Sequence, residues 1–304
     1  MPGFKNGLAW IAVFNFFSVA GASILFFMIS GALVLFKPKP VVPFLKKRLS
    51  RIVFPMVFWT IVSLLVEVLS DGMTWSEFWH SILMIPISPQ VGTYWFIYVI
   101  FGIYLLTPIL ATWLERCNKK DLQLYLCLWG VTLLIPYYAP LKAIMFFSHG
   151  YLYYFYGFLW FAVMGYYIRR YVNISKYKTG HIALFIFLVI LPAILYCTPL
   201  PHKVIHDRMA LHVVALCVCY FVILKHINYS DKMKQICYNF AQHSFGIYLV
   251  HYLVIHQMMW PLLSRVDINY AFQIPLTVFL TALCSYLIVK LLSYLPYSKY
   301  IVGV

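Results

Sequence analysis

Nine runs of apolar residues, each long enough to cross a bilayer, succeed one another along the chain with short loops between them. Spanning roughly 30 Å of hydrocarbon as a helix takes about 20 predominantly apolar residues. The runs fall near 9–35, 52–70, 92–114, 122–138, 151–168, 182–198, 210–225, 240–263 and 271–294. In lipid each backbone N–H and C=O must be satisfied within its own segment, so helices are the expected element. The period-two alternation of outer-membrane strands is missing, which argues against a barrel. A chain that is 63% hydrophobic and 10% charged also exceeds what a soluble core can bury. The expected fold is all-α: a polytopic membrane protein of about nine transmembrane helices, forming one integral-membrane domain over 1–304.

The basic residues divide unevenly between the two sides. One side holds Lys37, Lys39, Lys46, Lys47, Arg48 and Arg51, then Arg116, Lys119 and Lys120, then Arg169, Arg170, Lys176 and Lys178, then Lys225, Lys232 and Lys234, and finally Lys290 and Lys299. The other side has only Lys5, Lys142, Lys203, Arg208 and Arg265. By the positive-inside bias the first side is cytoplasmic, which places the C-terminus inside and the N-terminus outside. The net charge of +15 then reflects topology and attraction to anionic headgroups, and calls for no nucleic acid. Seven scattered cysteines contain no Cys-x-x-Cys and read as small buried residues rather than disulfides or metal ligands.

Ionisable groups inside a membrane are costly, so they are the first functional candidates. The densest cluster runs from His243 to His256. On a helix, Ser244, Tyr248 and His251 share a face, and a phenol with an imidazole on one stripe suits proton relay or activation of a hydroxyl. Hydrogen bonding between helices is the plainer use of the same groups. No zinc site is expected, because His251 and His256 fall on different faces of an α-helix and no carboxylate lies nearby. Arg48 and Arg51, at i and i+3, would present two guanidiniums to a phosphate-bearing ligand, or else anchor the second span to headgroups. Ser30-Gly31 alone reads as a close-packing site. Tyr94, Trp95 and Tyr98 suit an aromatic belt or, equally, a platform for sugar rings.

Taken in order, these segments resemble the acyltransferase 3 family of bacterial inner-membrane acyltransferases. The matching stretches are Phe26-Phe27-Met28-Ile29-Ser30-Gly31, Lys47-Arg48-Leu49-Ser50-Arg51-Ile52-Val53-Phe54-Pro55 with Trp59, and Tyr94-Trp95-Phe96 with Tyr104-Leu105-Leu106-Thr107-Pro108. Gly165-Tyr166-Tyr167 and His243-Ser244-Phe245-Gly246-Ile247-Tyr248 with His251 complete the series. The last stretch is similar to the subgroup that includes the O-acetyltransferase of enterobacterial common antigen. The resemblance implies transfer of an acyl group, acetyl above all, from cytoplasmic acyl-CoA to a hydroxyl of a cell-surface or lipid-linked polysaccharide. It implies acetyl-CoA as co-substrate, no bound cofactor or metal, and a multi-pass place in the bacterial inner membrane. Arg48 and Arg51, with Ser30 and Gly31, would then lie at the acyl donor, Tyr94, Trp95 and Tyr98 at the acceptor, and His251 with Tyr248 at the chemistry.

The chain departs from the family pattern at its start. The family carries Arg, ten residues and His on its first span and usually has ten spans, whereas the first Arg here is Arg48 and the first His is His80. The expectation is a chain that begins at an internal Met and lacks that helix. Thr93 also stands where related sequences often have His. Two other readings follow: a polysaccharide exporter or flippase, and a catalytically inactive truncated member.

Overall fold

The computed structural model describes residues 22–70, 72–138, 152–173, 178–198, 202–205, 207–266 and 270–303. Among them there is no strand. The principal helices are α1 (Ala22–Val34), α2 (Val41–Leu69), α3 (Trp75–Met84), α4 (Trp95–Arg116), α5 (Lys119–Thr132), α6 (Leu159–Tyr171), α7 (Lys178–Tyr196), α8 (Leu211–His226), α9 (Asp231–Leu253) and α10 (Tyr270–Ser293). A last turn, α11 (Ser298–Ile301), follows. The molecule is a helical membrane protein. Val41–Leu69, Gly92–Arg116 and Phe272–Ser293 are each long and apolar enough to cross a bilayer, matching the runs at 52–70, 92–114 and 271–294.

Other runs differ in length from expectation. Those at 122–138, 151–168 and 210–225 carry helices of 14, 13 and 16 residues. The run at 151–168 is shortened because Gly157, at φ +127°, sits in a left-handed conformation that ends the irregular stretch before α6. Residues 9–21 of the first run lie outside the described residues. The basic segment is also placed differently: α2 already begins at Val41, so Lys46, Lys47, Arg48 and Arg51 ride on its early turns rather than in a loop. Pro43 does not prevent this, because a first-turn residue has no helical partner for its N–H.

The chain divides into two compact units, Met1–Lys39 with Leu106–Asn228, and Pro40–Leu105 with Tyr229–Val304. In the first, α1 crosses α6 through two glycines. A Cβ on Gly31 would lie 1.9 Å from the Ala162 carbonyl oxygen, and one on Gly165 would lie 1.9 Å from that of Met28. Only glycine allows backbones this close. Arg169 fastens the crossing, donating to the Ala32 carbonyl and lying 4.7 Å from the centre of the Phe36 ring. Lys225 of α8 donates to the carbonyls of Ile168, Arg169 and Val172, and so caps the end of α6 with a cation.

In the second unit α11 folds back along α2. The Trp59 indole donates to the Ile301 carbonyl at 2.8 Å, and Tyr300 meets Phe54 edge to face. Pro55 has no N–H to offer the Arg51 carbonyl, and Gly303, at φ +77°, packs on that oxygen. Gly246 of α9 is pressed against Val289 of α10 and the Val302 carbonyl.

Candidate active site

Helical backbone continues beyond α9 through a π turn, Val254–Met259, into Trp260–Leu263. Such wide turns inside α-helices recur at functional sites. Just before it, α9 and the start of α4 exchange hydrogen bonds: the Tyr94 hydroxyl donates to the Leu249 carbonyl at 2.7 Å, and the Tyr248 hydroxyl donates to the Thr93 carbonyl. Tyr248 also packs on Phe96, with ring centres 5.4 Å apart.

His251 lies against Tyr248, ring centres 5.4 Å apart, with its Nδ1 on the Tyr248 carbonyl. A carbonyl only accepts, so Nδ1 carries the proton and Nε2 keeps its lone pair. No described residue bonds that Nε2. Ser244 shares the face but turns its hydroxyl back to the Ala241 carbonyl, 2.8 Å away. Within the π turn His256 packs on Tyr252, with ring centres 4.4 Å apart. No group of three metal-ligating side chains occurs among the described residues.

Buried hydroxyls occur in the same unit. Ser63 of α2 lies beside the Tyr94 phenol. The Thr93, Thr281 and Ser285 hydroxyls are buried with no partner among the described residues. Gly246 against Val289, and Gln273 bonded to the Leu263 carbonyl, set α9 and α10 antiparallel. That register brings Ser285 level with Val250 and His251. Each unpartnered hydroxyl costs about 1–3 kcal/mol, a cost that a polar ligand group would relieve.

Arg48 is half-buried with its guanidinium 5.8 Å from the centre of the Tyr104 ring, and Phe44 packs on the same ring. Arg51 is exposed, and no acidic side chain among the described residues pairs with either arginine. Both lie in the same unit as His251. A Cβ on Gly303 would lie 3.2 Å from the Arg51 carbonyl oxygen and 2.9 Å from the Phe245 ring, so the Arg51 turn is level with Phe245. His251 is six residues further along α9, about 9 Å by helical rise.

The three aromatic candidates fare differently. Tyr94 is 1% exposed and is held within the unit. Tyr98 turns its hydroxyl toward the carbonyls of Ile85 and Ser88, fastening the loop before α4. Trp95 is partly exposed. Ser30 and Gly31 lie in the first unit, where Gly31 takes the close-packing role described above. Neither the π turn nor the buried hydroxyls leave a local sequence pattern, although Thr93 stands out by its departure from the family pattern.

These features define a helical membrane protein in which a half-buried imidazole, several buried hydroxyls and two arginines without an acidic partner among the described residues lie in one unit. A family model described as an acyltransferase domain matches residues 2–292, and the chain belongs to this acyltransferase 3 family. No curated protein and no solved structure matches the chain significantly.

Proposed function

We propose that the protein is a membrane O-acyltransferase that moves an acetyl group from cytoplasmic acetyl-CoA to a hydroxyl of a cell-surface or lipid-linked polysaccharide in the bacterial inner membrane. The observation that carries this reading is His251, whose Nδ1–H is held by the Tyr248 carbonyl while Nε2 is left basic. Such a nitrogen accepts the proton of an acceptor hydroxyl as its oxygen attacks the thioester carbonyl. The proton then leaves with the CoA thiolate. Thr93 and Ser285 are candidate donors to the tetrahedral oxyanion, which needs hydrogen bonds that the ground-state thioester does not. Tyr248 positions the imidazole.

Arg48 and Arg51 supply the charge for the CoA phosphates. A pantetheine arm bridges the distance from their turn to His251. Ser30 and Gly31 belong to the donor side through the family resemblance. On the acceptor side Trp95 offers a ring face to sugar, and Tyr94 and Tyr98 hold the framework around it.

The test is transfer of labelled acetyl from acetyl-CoA to membrane glycans. His251→Ala is expected to abolish transfer with the protein still inserted, and Arg48→Ala to raise the KM for acetyl-CoA. Full transfer by both variants refutes the assignment. A strain that makes less glycan, rather than less acetylated glycan, when the gene is deleted favours export instead.

A further inference from the structure

The helix α3 has three distinct flanks. Phe78 (4% exposed) and Ile85 (6%), with Ile82 between them, face the protein. A quarter turn round the axis, Trp75 (57% exposed), Trp79 (61%) and Leu83 (73%) recur every fourth residue and stay largely exposed among the described residues. The third flank is polar: Ser76, Glu77, His80 and Ser81, with Gly72 and Met73, line an open cavity of about 490 Å³. One flank thus suits protein, one lipid and one water.

The helix cannot leave the membrane surface. Residues 70–74 join it to the end of α2 and residues 85–91 to the start of α4, both long enough to span a bilayer. A five-residue link reaches about 18 Å at most. Tyr98 shortens the second link further by fastening residues 85–88 to α4. The apolar surface continues beyond the helix at both ends, in Leu69 (80% exposed) and Ile87 (74%). Tryptophan is the side chain that favours the boundary between headgroups and acyl chains.

We propose that α3 is an in-plane interfacial helix whose Trp75, Trp79 and Leu83 are seated in the lipid of the adjoining leaflet. The cavity on its polar flank is thereby held at headgroup height, open to the aqueous side. The helix carries no Lys or Arg, and its one charge is Glu77, so apolar burial and indole placement hold it rather than attraction to anionic lipid.

Photo-crosslinking amino acids placed singly at 75, 79, 83, 76 and 80 in the full chain test this in intact membranes. These positions are exposed, so folding does not depend on them. Lipid adducts at 75, 79 and 83, with none at 76 and 80, are expected by mass spectrometry. High salt, which screens charge attraction, is expected to leave the yields unchanged. Adducts at 79 and 83 to a protein segment, equal lipid labelling of both flanks, or a yield that falls with salt overturns the proposal. None of these readouts depends on acyl transfer, so the inference stands or falls separately from the proposed reaction.

Discussion

Gly165 and His251 illustrate two ways in which one residue governs this protein. At Gly165 the neighbouring helix backbone occupies the space a side chain would fill, so Gly165→Ala must push α1 away from α6. Overpacking of this kind costs typically 1–3 kcal/mol, and a clash with backbone rather than a flexible side chain puts the expected loss near the top, about 3 kcal/mol. Thermal unfolding of the variant in detergent measures it, and an unchanged midpoint would contradict the close crossing. At His251 geometry works through a proton: one carbonyl fixes which nitrogen is basic. The i, i+3 spacing of Tyr248 and His251 was legible in the sequence because it follows from helical periodicity alone. The burial of Tyr94 was not, because a tyrosine at a membrane boundary reads as well for a belt as for a core.

Among the elements, α3 is fixed at its start by a capping box. The Thr74 hydroxyl accepts from the Glu77 N–H, and the Glu77 carboxylate accepts from the Thr74 N–H and hydroxyl. These bonds favour the ionised carboxylate, so its pKa is lowered from the usual 4.5, the backbone bond first and the hydroxyl second. A lowered pKa in the folded state means that the cap contributes fully above about pH 4.5, the unfolded value, and is lost as pH falls through the folded one. Hydrogen exchange at the first amides of α3 is expected to quicken through that acid window, and Glu77→Gln to remain flat because glutamine caps without titrating. A variant that follows the wild-type curve would remove Glu77 as the cause. The element boundaries themselves were only partly legible. The runs gave the spans at α2, α4 and α10, whereas the early start of α2 and the π turn after α9 depend on packing that no local pattern encodes.

For the whole molecule, the asymmetry of basic residues predicts an orientation. A periplasmic reporter fused after Met84 is expected to be active and one fused after Asn118 inactive, with a cytoplasmic reporter giving the reverse pattern. The opposite assignment would invert the proposed donor and acceptor sides. Charge counting reads such topology directly, since it needs only the order of spans. The bond from Tyr248 to the Thr93 carbonyl and the packing of Gly246 on Val289 lay beyond it, because these residues come from segments far apart in the chain.

The second compact unit joins Pro40–Leu105 to Tyr229–Val304, so all of Leu106–Asn228 is synthesised between its halves. During biogenesis α2 to α4 therefore enter the membrane well before α9 and α10 exist to receive them. The Trp59 indole, buried in the finished fold, waits for the Ile301 carbonyl until α11 has left the ribosome. An insertase or membrane chaperone that shelters half-built helices is thus a natural requirement for making this protein in quantity, and a stalled or hurried translation would show first in this unit.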